Sequence, residues 1–175
     1  MGMILARMFC SNCAAELPHD PPVTCANCGT AHYANSKPCG GALIEDDDGR
    51  LLMVRRADDP YDGHWDIPGG FCELREHPRD AAVREAREET GLKVEAGEFV
   101  GMYLDDYGDT GQVTLNCYYR CRVIGGTERP QPGEVAEMRW FARDELPPER
   151  LAFPGHARVV IDAWRDMVPL AGEPQ

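Results

Sequence analysis

A highly charged run without helix breakers lies between Pro78 and Gly91. Residues 70–92 read GFCELREHPRDAAVREAREETGL. Proline is favoured in the first turn of a helix and glycine just past its end, so the run predicts one helix. Three glutamates within it are spaced at i, i+3 and i+4, which places their carboxylates on one side of that helix: Glu85, Glu88 and Glu89.

Three carboxylates on one helical face repel one another unless a counter-charge lies nearby. Hard oxygen ligands in such a group suit Mg²⁺ or Mn²⁺. Gly69 and Gly70 allow the backbone to approach a metal or a phosphate closely and offer carbonyl ligands. Arg84 is placed to hold Glu88, four residues on, or to pair with Glu76 across the loop. Taken alone, REAREE also fits a solvated helix with Glu–Arg pairs.

The full spacing resembles the Nudix box. Gly70 is followed after five residues by Glu76, and after seven more by Arg84-Glu85-Ala86. Glu88-Glu89 and Gly91-Leu92 complete the pattern, each after one further residue. One departure is Ala86, where the family prefers a larger aliphatic residue. The resemblance implies an α/β (α+β) Nudix fold, a mixed sheet sandwiched between helices, over residues 37–168.

The resemblance also implies a reaction in which metal-activated water attacks one phosphorus of a pyrophosphate bond. By matching position, the ligands of Mg²⁺ or Mn²⁺ are expected to be Gly70, Glu85, Glu88 and Glu89. Arg84 and Glu76 are expected to support them, and Glu88 either binds metal or orients water. Glu134 is our candidate for an additional ligand or general base, and a solvated loop carboxylate is the alternative.

Two CxxC pairs, separated by eleven residues, mark residues 8–36 as a separate unit with few bulky apolar side chains. Their four thiolates predict a structural zinc ribbon held by Cys10, Cys13, Cys25 and Cys28. Disulfides or a redox pair are the alternatives. Because a closed four-cysteine site leaves no open coordination position, we expect this zinc to be structural.

The apolar pattern of the main region predicts five strands and two helices. The expected strands are Gly40–Glu45, Leu51–Arg56, Phe99–Leu104, Val113–Val123 and Glu137–Phe141. The turn Asp47-Asp48-Gly49 joins the first two as a hairpin. A closing helix is expected over His156–Met167. Its apolar stripe is predicted to consist of Val159, Val160, Ala163, Trp164 and Met167.

A zinc ribbon before a Nudix domain is similar to two groups. NADH pyrophosphatases carry a proline- and tryptophan-rich run after the box, and residues 93–116 contain neither residue. The sequence is more similar to ADP-ribose/FAD pyrophosphatases, through Cys28-Gly29 with Tyr33 to Lys37, and through Asp144 to Pro147 with Leu151 to Phe153. Nucleoside triphosphate or dinucleoside polyphosphate hydrolysis, or a nucleotide-sensing module that binds a partner, are the alternatives.

Substrate-binding residues are expected in the loops around the box. Arg55 and Arg56 end a strand that leads there, and one of them is a candidate phosphate contact; a surface salt bridge is the commoner role. Trp65 and Phe153 are candidate stacking surfaces for an adenine or flavin ring, with a core position as the alternative. Four further aromatic candidates are Tyr61, Phe71, Tyr103 and Tyr107.

Charge and hydropathy restrict the partners. The formal net charge of −12 disfavours nucleic acid, whereas a small nucleoside diphosphate derivative is compatible once cations neutralise the site. No apolar run approaches the roughly 20 residues that span a bilayer, so we expect no membrane partner. The CxxC pairs favour a cytoplasmic protein over a secreted disulfide scaffold. A homodimer is compatible with the sequence, because many relatives dimerise.

Overall fold

The computed structural model describes residues 8–145 and 150–170, and the chain divides into two compact units between Asn35 and Ser36. The first unit contains two short antiparallel strands, β1 (Val23–Thr24) and β2 (Ala31–His32). Its buried cluster is small and consists of Cys10, Leu17, Val23 and Cys25. A core of this size needs a cross-link or a bound metal to be stable.

The second unit is built on a seven-stranded mixed sheet. Its strands are β3 (Lys37–Glu45), β4 (Leu51–Arg56), β5 (Trp65–Asp66), β6 (Gly69–Phe71), β7 (Leu92–Asp106), β8 (Val113–Gly126) and β9 (Val135–Phe141). The order is β5-β4-β3-β8-β7, with β6 paired to β3 and β9 paired to β4. Strands β3 and β8 run parallel, and the other described pairs are antiparallel.

Two helices cover the two faces of this sheet. Helix α1 (Pro78–Thr90) contributes Ala82 and Ala86 to the hydrophobic cluster on one face. Helix α2 (Ala157–Asp166) contributes Trp164 to the cluster on the other face. Consecutive residues of β3 serve opposite faces, because side chains alternate along a strand. Ala42 belongs to the α1 cluster and Leu43 to the α2 cluster. The predicted α+β sandwich is therefore confirmed. No helix among the described residues is long and apolar enough to cross a membrane.

The ends of α1 follow the sequence signals. The side chain of His77 accepts from the backbone N–H of Arg79, Pro78 occupies the first turn, and Gly91 ends the helix at φ 74°. The start of α1 also lies very close to β3. A Cβ at Gly40 would lie 2.0 Å from the carbonyl oxygen of Pro78, so glycine is required there.

The hairpin of β3 and β4 forms as predicted, with Gly49 in the left-handed region at φ 71°. Strand β7 is much longer than the predicted Phe99–Leu104, since Leu92, Val94 and Ala96 alternate inward while their neighbours stay exposed. Bulges around Ala96 and Phe99 break that alternation, and this obscures the strand in the sequence.

The predicted stripe of α2 is partly wrong. Val159 is 52% exposed, whereas Ala157, Val160, Ile161 and Trp164 are buried. These four residues lie at positions i, i+3, i+4 and i+7 counted from Ala157 and form one helical face. Val159 lies two residues after Ala157 and is therefore outside that face. In the C-terminal stretch that resembles ADP-ribose/FAD pyrophosphatases, Leu146 and Pro147 lie outside the described residues.

Candidate active site

Arg84 connects three carboxylates beside α1. Its Nε and Nη2 atoms donate to the two oxygens of Glu76, each at 2.9 Å. Its Nη1 atom donates to Glu85 at 2.7 Å and to Glu88 at 3.0 Å, and Nη2 also donates to the Phe71 carbonyl at 3.0 Å. Hydrogen bonding to Arg84 lowers the pKa of Glu76. Both partners predicted for Arg84 are therefore present together, and the bidentate pair fixes its guanidinium.

Glu85 lies directly against strand β6. A Cβ at Gly70 would lie 2.5 Å from Oε1 of Glu85, so the carboxylate occupies space that only glycine leaves open. Burial raises the pKa of Glu85, and the hydrogen bond from Arg84 opposes that rise. The Gly70 backbone and the Glu85 carboxylate thus come together as the box spacing predicts.

Glu89 is the most desolvated carboxylate of the helix. Its Oε2 atom is buried and has no hydrogen-bond partner. Burial raises the pKa of Glu89 well above its usual value, and the nearby carboxylates of Asp66 and Glu85 add to the rise. An orphaned carboxylate oxygen of this kind is unfavourable unless a cation or a proton occupies the adjacent space.

A cavity of about 260 Å³ lies beside these groups. Four carboxylates line it, from Asp66, Glu85, Glu89 and Glu134, together with four phenylalanine or tyrosine rings, from Phe71, Tyr107, Tyr118 and Phe153. Arg56 is the only lysine or arginine among the described residues that line the cavity. Glu88 is outside the lining, and its side chain is half exposed. The excess of hard oxygen donors over cations fits a site for a divalent cation.

Comparison with known proteins gives the family. A NUDIX domain model matches residues 37–163. A MutT-like protein from Streptomyces ambofaciens is 41% identical over 123 residues, which is 70% of this chain and 73% of that protein. An ADP-ribose pyrophosphatase from Methanocaldococcus jannaschii is 32% identical over 122 residues, 70% of each chain. The chain belongs to the Nudix family of pyrophosphohydrolases.

Solved Nudix structures have the same fold. The crystal structure of a NUDIX hydrolase from Nitrosomonas europaea superposes with a TM-score of 0.72 at 31% identity, covering 90% of this chain and 88% of that one. Of the glutamates in the box, Glu85, Glu88 and Glu89 lie on α1, and Glu85 and Glu89 line the cavity where β6 meets the helix.

The two arginines at the end of β4 separate into different roles. Arg55 forms a salt bridge with Glu137 at 3.0 Å on the surface, which is the alternative that the sequence left open. Arg56 lines the cavity and donates through Nε to the Pro60 carbonyl at 2.7 Å and through Nη1 to Asp66 at 3.2 Å. Among the described residues, Nη2 of Arg56 makes no hydrogen bond, so it can donate to a ligand.

The two aromatic candidates also separate. Trp65 is partly buried, packs on Phe141 with ring centroids 5.0 Å apart, and lies against the α2 core cluster outside the cavity lining. Its expected stacking role therefore has no support in the structure. Phe153 lines the cavity, and its ring stacks on Tyr107 at 5.7 Å and lies 5.5 Å from the Arg56 guanidinium.

Glu134 reaches the cavity from the loop before β9. Its Oε1 accepts from Nε2 of Gln131 at 2.8 Å, and its backbone carbonyl accepts from Ala57 at 2.9 Å. Its charge contributes to the raised pKa of Glu85, so the two carboxylates are near each other. Glu134 is exposed and retains a second carboxylate oxygen for a ligand or a water molecule.

The four paired cysteines of the first unit form one cluster. Their sulfur atoms all lie within 4.8 Å of one another, with Cys10–Cys28 and Cys13–Cys25 separations of 3.6 Å. Four sulfurs at about 2.3 Å from a zinc ion would be about 3.8 Å apart, and a disulfide needs about 2.0 Å. The geometry therefore fits the predicted zinc ribbon and not the disulfide alternative. A hydrogen bond with Thr30 lowers the pKa of Cys28 to about 5, whereas burial raises the pKa of Cys10 to about 11.

The cavity wall contains polar groups that no sequence motif indicates, from Asp66, Thr114, Asn116, Tyr118 and His156. His156 is 3% exposed, and it bonds Asp105 through Nδ1 and Tyr118 through Nε2, each at 2.7 Å. Both His156 and Tyr118 line the cavity. Asp105 precedes His156 by 51 positions and Tyr118 precedes it by 38, so no local sequence spacing links the three residues.

Proposed function

We propose that the Nudix domain uses a divalent metal ion to hydrolyse the pyrophosphate bond of a nucleoside diphosphate linked to another moiety. The substrates belong to the ADP-ribose, FAD or NADH class, and the products are two monophosphates. The observation that carries the proposal is the buried, unpartnered Oε2 of Glu89 in a cavity with four carboxylates and one arginine. Such a cavity accepts a polyanion only with added cations.

Mg²⁺ or Mn²⁺ would be held by the carboxylates of Glu85, Glu88 and Glu89 and by the Gly70 carbonyl. When bound, the ion polarises phosphoryl oxygens and acidifies water. Glu88 is assigned by its position in the box and by its 3.0 Å bond to Arg84, since it lies outside the cavity lining. Arg84 keeps these carboxylates in place and contacts no substrate.

The remaining roles belong to side chains that reach the cavity from other elements. The free oxygen of Glu134 takes the proton from the attacking water, while Gln131 holds the other oxygen. Arg56 binds phosphate oxygens through its free Nη2. Phe71, Tyr107 and Phe153 offer apolar ring surface to the nucleoside end of the substrate.

The test is mass-spectrometric product analysis over ADP-ribose, NADH, FAD, a diadenosine polyphosphate and nucleoside triphosphates, with Mg²⁺ or Mn²⁺. We expect two monophosphates from the ADP-ribose class and loss of turnover with EDTA. Preference for triphosphates or diadenosine polyphosphates would reject the substrate class. Binding of one of these nucleotides without any turnover would instead support the sensing alternative.

Glu89→Gln removes the charge of the desolvated carboxylate with little change in size. We expect turnover to fall by roughly 10²-fold or more with the fold intact. Glu95→Gln is the matched control, because Glu95 pairs with Arg122 at 2.8 Å on the exposed surface of β7. Equal activity of the two variants would mean that the carboxylates of α1 do not form the reaction centre.

A further inference from the structure

A buried chain of hydrogen bonds runs through the cavity wall from Asp105 to His156 to Tyr118. Because the Asp105 carboxylate can only accept, Nδ1 of His156 carries a proton and donates to it at 2.7 Å. In the neutral imidazole Nε2 then accepts from the Tyr118 hydroxyl, also at 2.7 Å. Each nitrogen of this buried ring has a partner, and removing either partner would leave a buried polar atom unsatisfied.

This series of hydrogen bonds joins three elements around the cavity. Asp105 belongs to β7, Tyr118 to β8, and His156 directly precedes α2. The ring of His156 also lies 5.5 Å from that of Tyr118 and 6.2 Å from that of Phe153. His156 thus connects the sheet with the segment that brings Phe153 into the cavity lining.

The turn at Phe153 has an unfavourable backbone conformation. Its φ is 47°, in the left-handed region that residues other than glycine rarely adopt. The Phe153 carbonyl accepts from the backbone N–H groups of His156 at 3.2 Å and Ala157 at 3.0 Å. Such a conformation persists only where surrounding contacts hold it, and it is often found at ligand sites. The ring of Phe153 lies 4.8 Å from that of Tyr61, 5.5 Å from the Arg56 guanidinium and 6.2 Å from the His156 ring, and of these three residues His156 belongs to the same turn.

We propose that His156 is a positioning residue for substrate binding. Held between Asp105 and Tyr118, it keeps the Phe153 turn closed, so that the Phe153 ring lies against Tyr107 and the Arg56 guanidinium before substrate arrives. A surface formed in advance lowers the ordering cost of binding. The inference rests on the proposed function, because it assigns the ring of Phe153 to the nucleoside end of the substrate.

Two variants remove these hydrogen bonds to different degrees. His156→Phe keeps a ring and removes both hydrogen bonds, and Tyr118→Phe removes only the hydroxyl. We expect the KM for ADP-ribose to rise about tenfold in the first and less in the second, with kcat within about twofold of the wild type. A fall in kcat at unchanged KM would contradict a positioning role in binding.

Arg143→Met is the structural control, because Arg143 anchors the other end of α2. Its Nη1 donates to the carbonyls of Trp164, Arg165 and Met167. We expect this variant to lower the melting temperature and leave KM unchanged. If Arg143→Met raises KM as much as His156→Phe does, the effect belongs to the stability of α2, and the inference is overturned.

A double variant tests whether His156 acts through Phe153. Phe153→Ala alone should raise KM, and adding His156→Phe should raise it little further, since the positioned ring is already gone. Additive effects on KM would show that His156 acts by another route, which overturns the inference. If Phe153→Ala leaves KM unchanged, the assigned subsite of the proposed function is wrong.

Hydrogen exchange without substrate gives a readout that is independent of turnover. We expect amides 150–158 to exchange faster in His156→Phe and Tyr118→Phe than in wild type, and to stay protected in Arg143→Met. Unchanged exchange in both His156→Phe and Tyr118→Phe would overturn the positioning role of His156, even if the enzyme is active. If the wild type hydrolyses none of the nucleotides but these amides exchange faster in the two variants, the proposed function is rejected. The conclusion that His156 positions Phe153 would still stand.

Discussion

Gly70→Ala tests the geometry of the box directly, because it adds one methyl group between β6 and Glu85. The new Cβ would lie 2.5 Å from Oε1 of Glu85, whereas ordinary contacts begin at 3.4 Å. The carboxylate must therefore retreat by about 0.9 Å, against the 2.7 Å bond that holds it to Arg84. A misplacement of about 1 Å at a reacting centre costs about 10²-fold in rate.

The assay is steady-state kinetics on ADP-ribose together with thermal unfolding. We expect kcat/KM to fall about 100-fold, while the melting temperature changes by only a few degrees, since the obstructed atom is the end of a side chain. Full activity at an unchanged melting temperature would contradict this prediction, because Glu85 would then not be needed where the structure places it.

Two other glycines on the same sheet are matched controls for this substitution. A Cβ at Gly97 would lie 3.6 Å from the Arg120 carbonyl, an ordinary contact, so Gly97→Ala should keep both activity and stability. A Cβ at Gly40 would meet backbone atoms of Pro78 at 2.0 Å and Ala82 at 2.7 Å. Gly40→Ala should therefore lose about 3 kcal/mol of stability by displacing α1, which urea unfolding would measure.

Three further predictions concern other parts of the chain. We expect metal analysis to find one tightly held zinc per chain, and Cys25→Ser to lose it and to lower the stability of the first unit in thermal unfolding; retained zinc would reject the four-cysteine site. Glu45→Gln should cost about 3 to 5 kcal/mol in urea unfolding, because fully buried Glu45 pairs with Arg120 at 2.6 Å; a loss below 1 kcal/mol would contradict this. Arg56→Gln should raise KM about tenfold and Arg55→Gln should not; equal values would contradict the separation of the two arginines.

The sequence predicts the structure correctly where the residues that determine an element or a cluster lie near each other in the chain. Pro78, the glutamates and Gly91 specify α1 through spacing and end signals that act within a few residues. The two CxxC pairs specify the four-cysteine cluster in the same way. The Gly70–Glu85 contact follows from the box spacing, although its tightness depends on how closely α1 packs on the sheet.

The remaining parts depend on contacts between distant segments. Trp65 and Phe153 are equivalent as isolated aromatic residues, and only the tertiary structure puts the first in the core and the second in the cavity. His156 gives no local signal, because its partners come from two other strands. The early part of β7 carries no plain strand pattern in the sequence, because its exposed positions are polar and its bulges interrupt the alternation.

We propose that the Nudix domain cleaves a pyrophosphate bond with water at a carboxylate-bound divalent ion. Hydrolysis of ADP-ribose with Mg²⁺ in ¹⁸O-labelled water, followed by mass spectrometry, tests this proposal. We predict AMP and ribose 5-phosphate in equal amounts, with one solvent oxygen in one of the two, and no products when EDTA replaces Mg²⁺. Release of inorganic phosphate, or the same turnover in EDTA, would contradict the account.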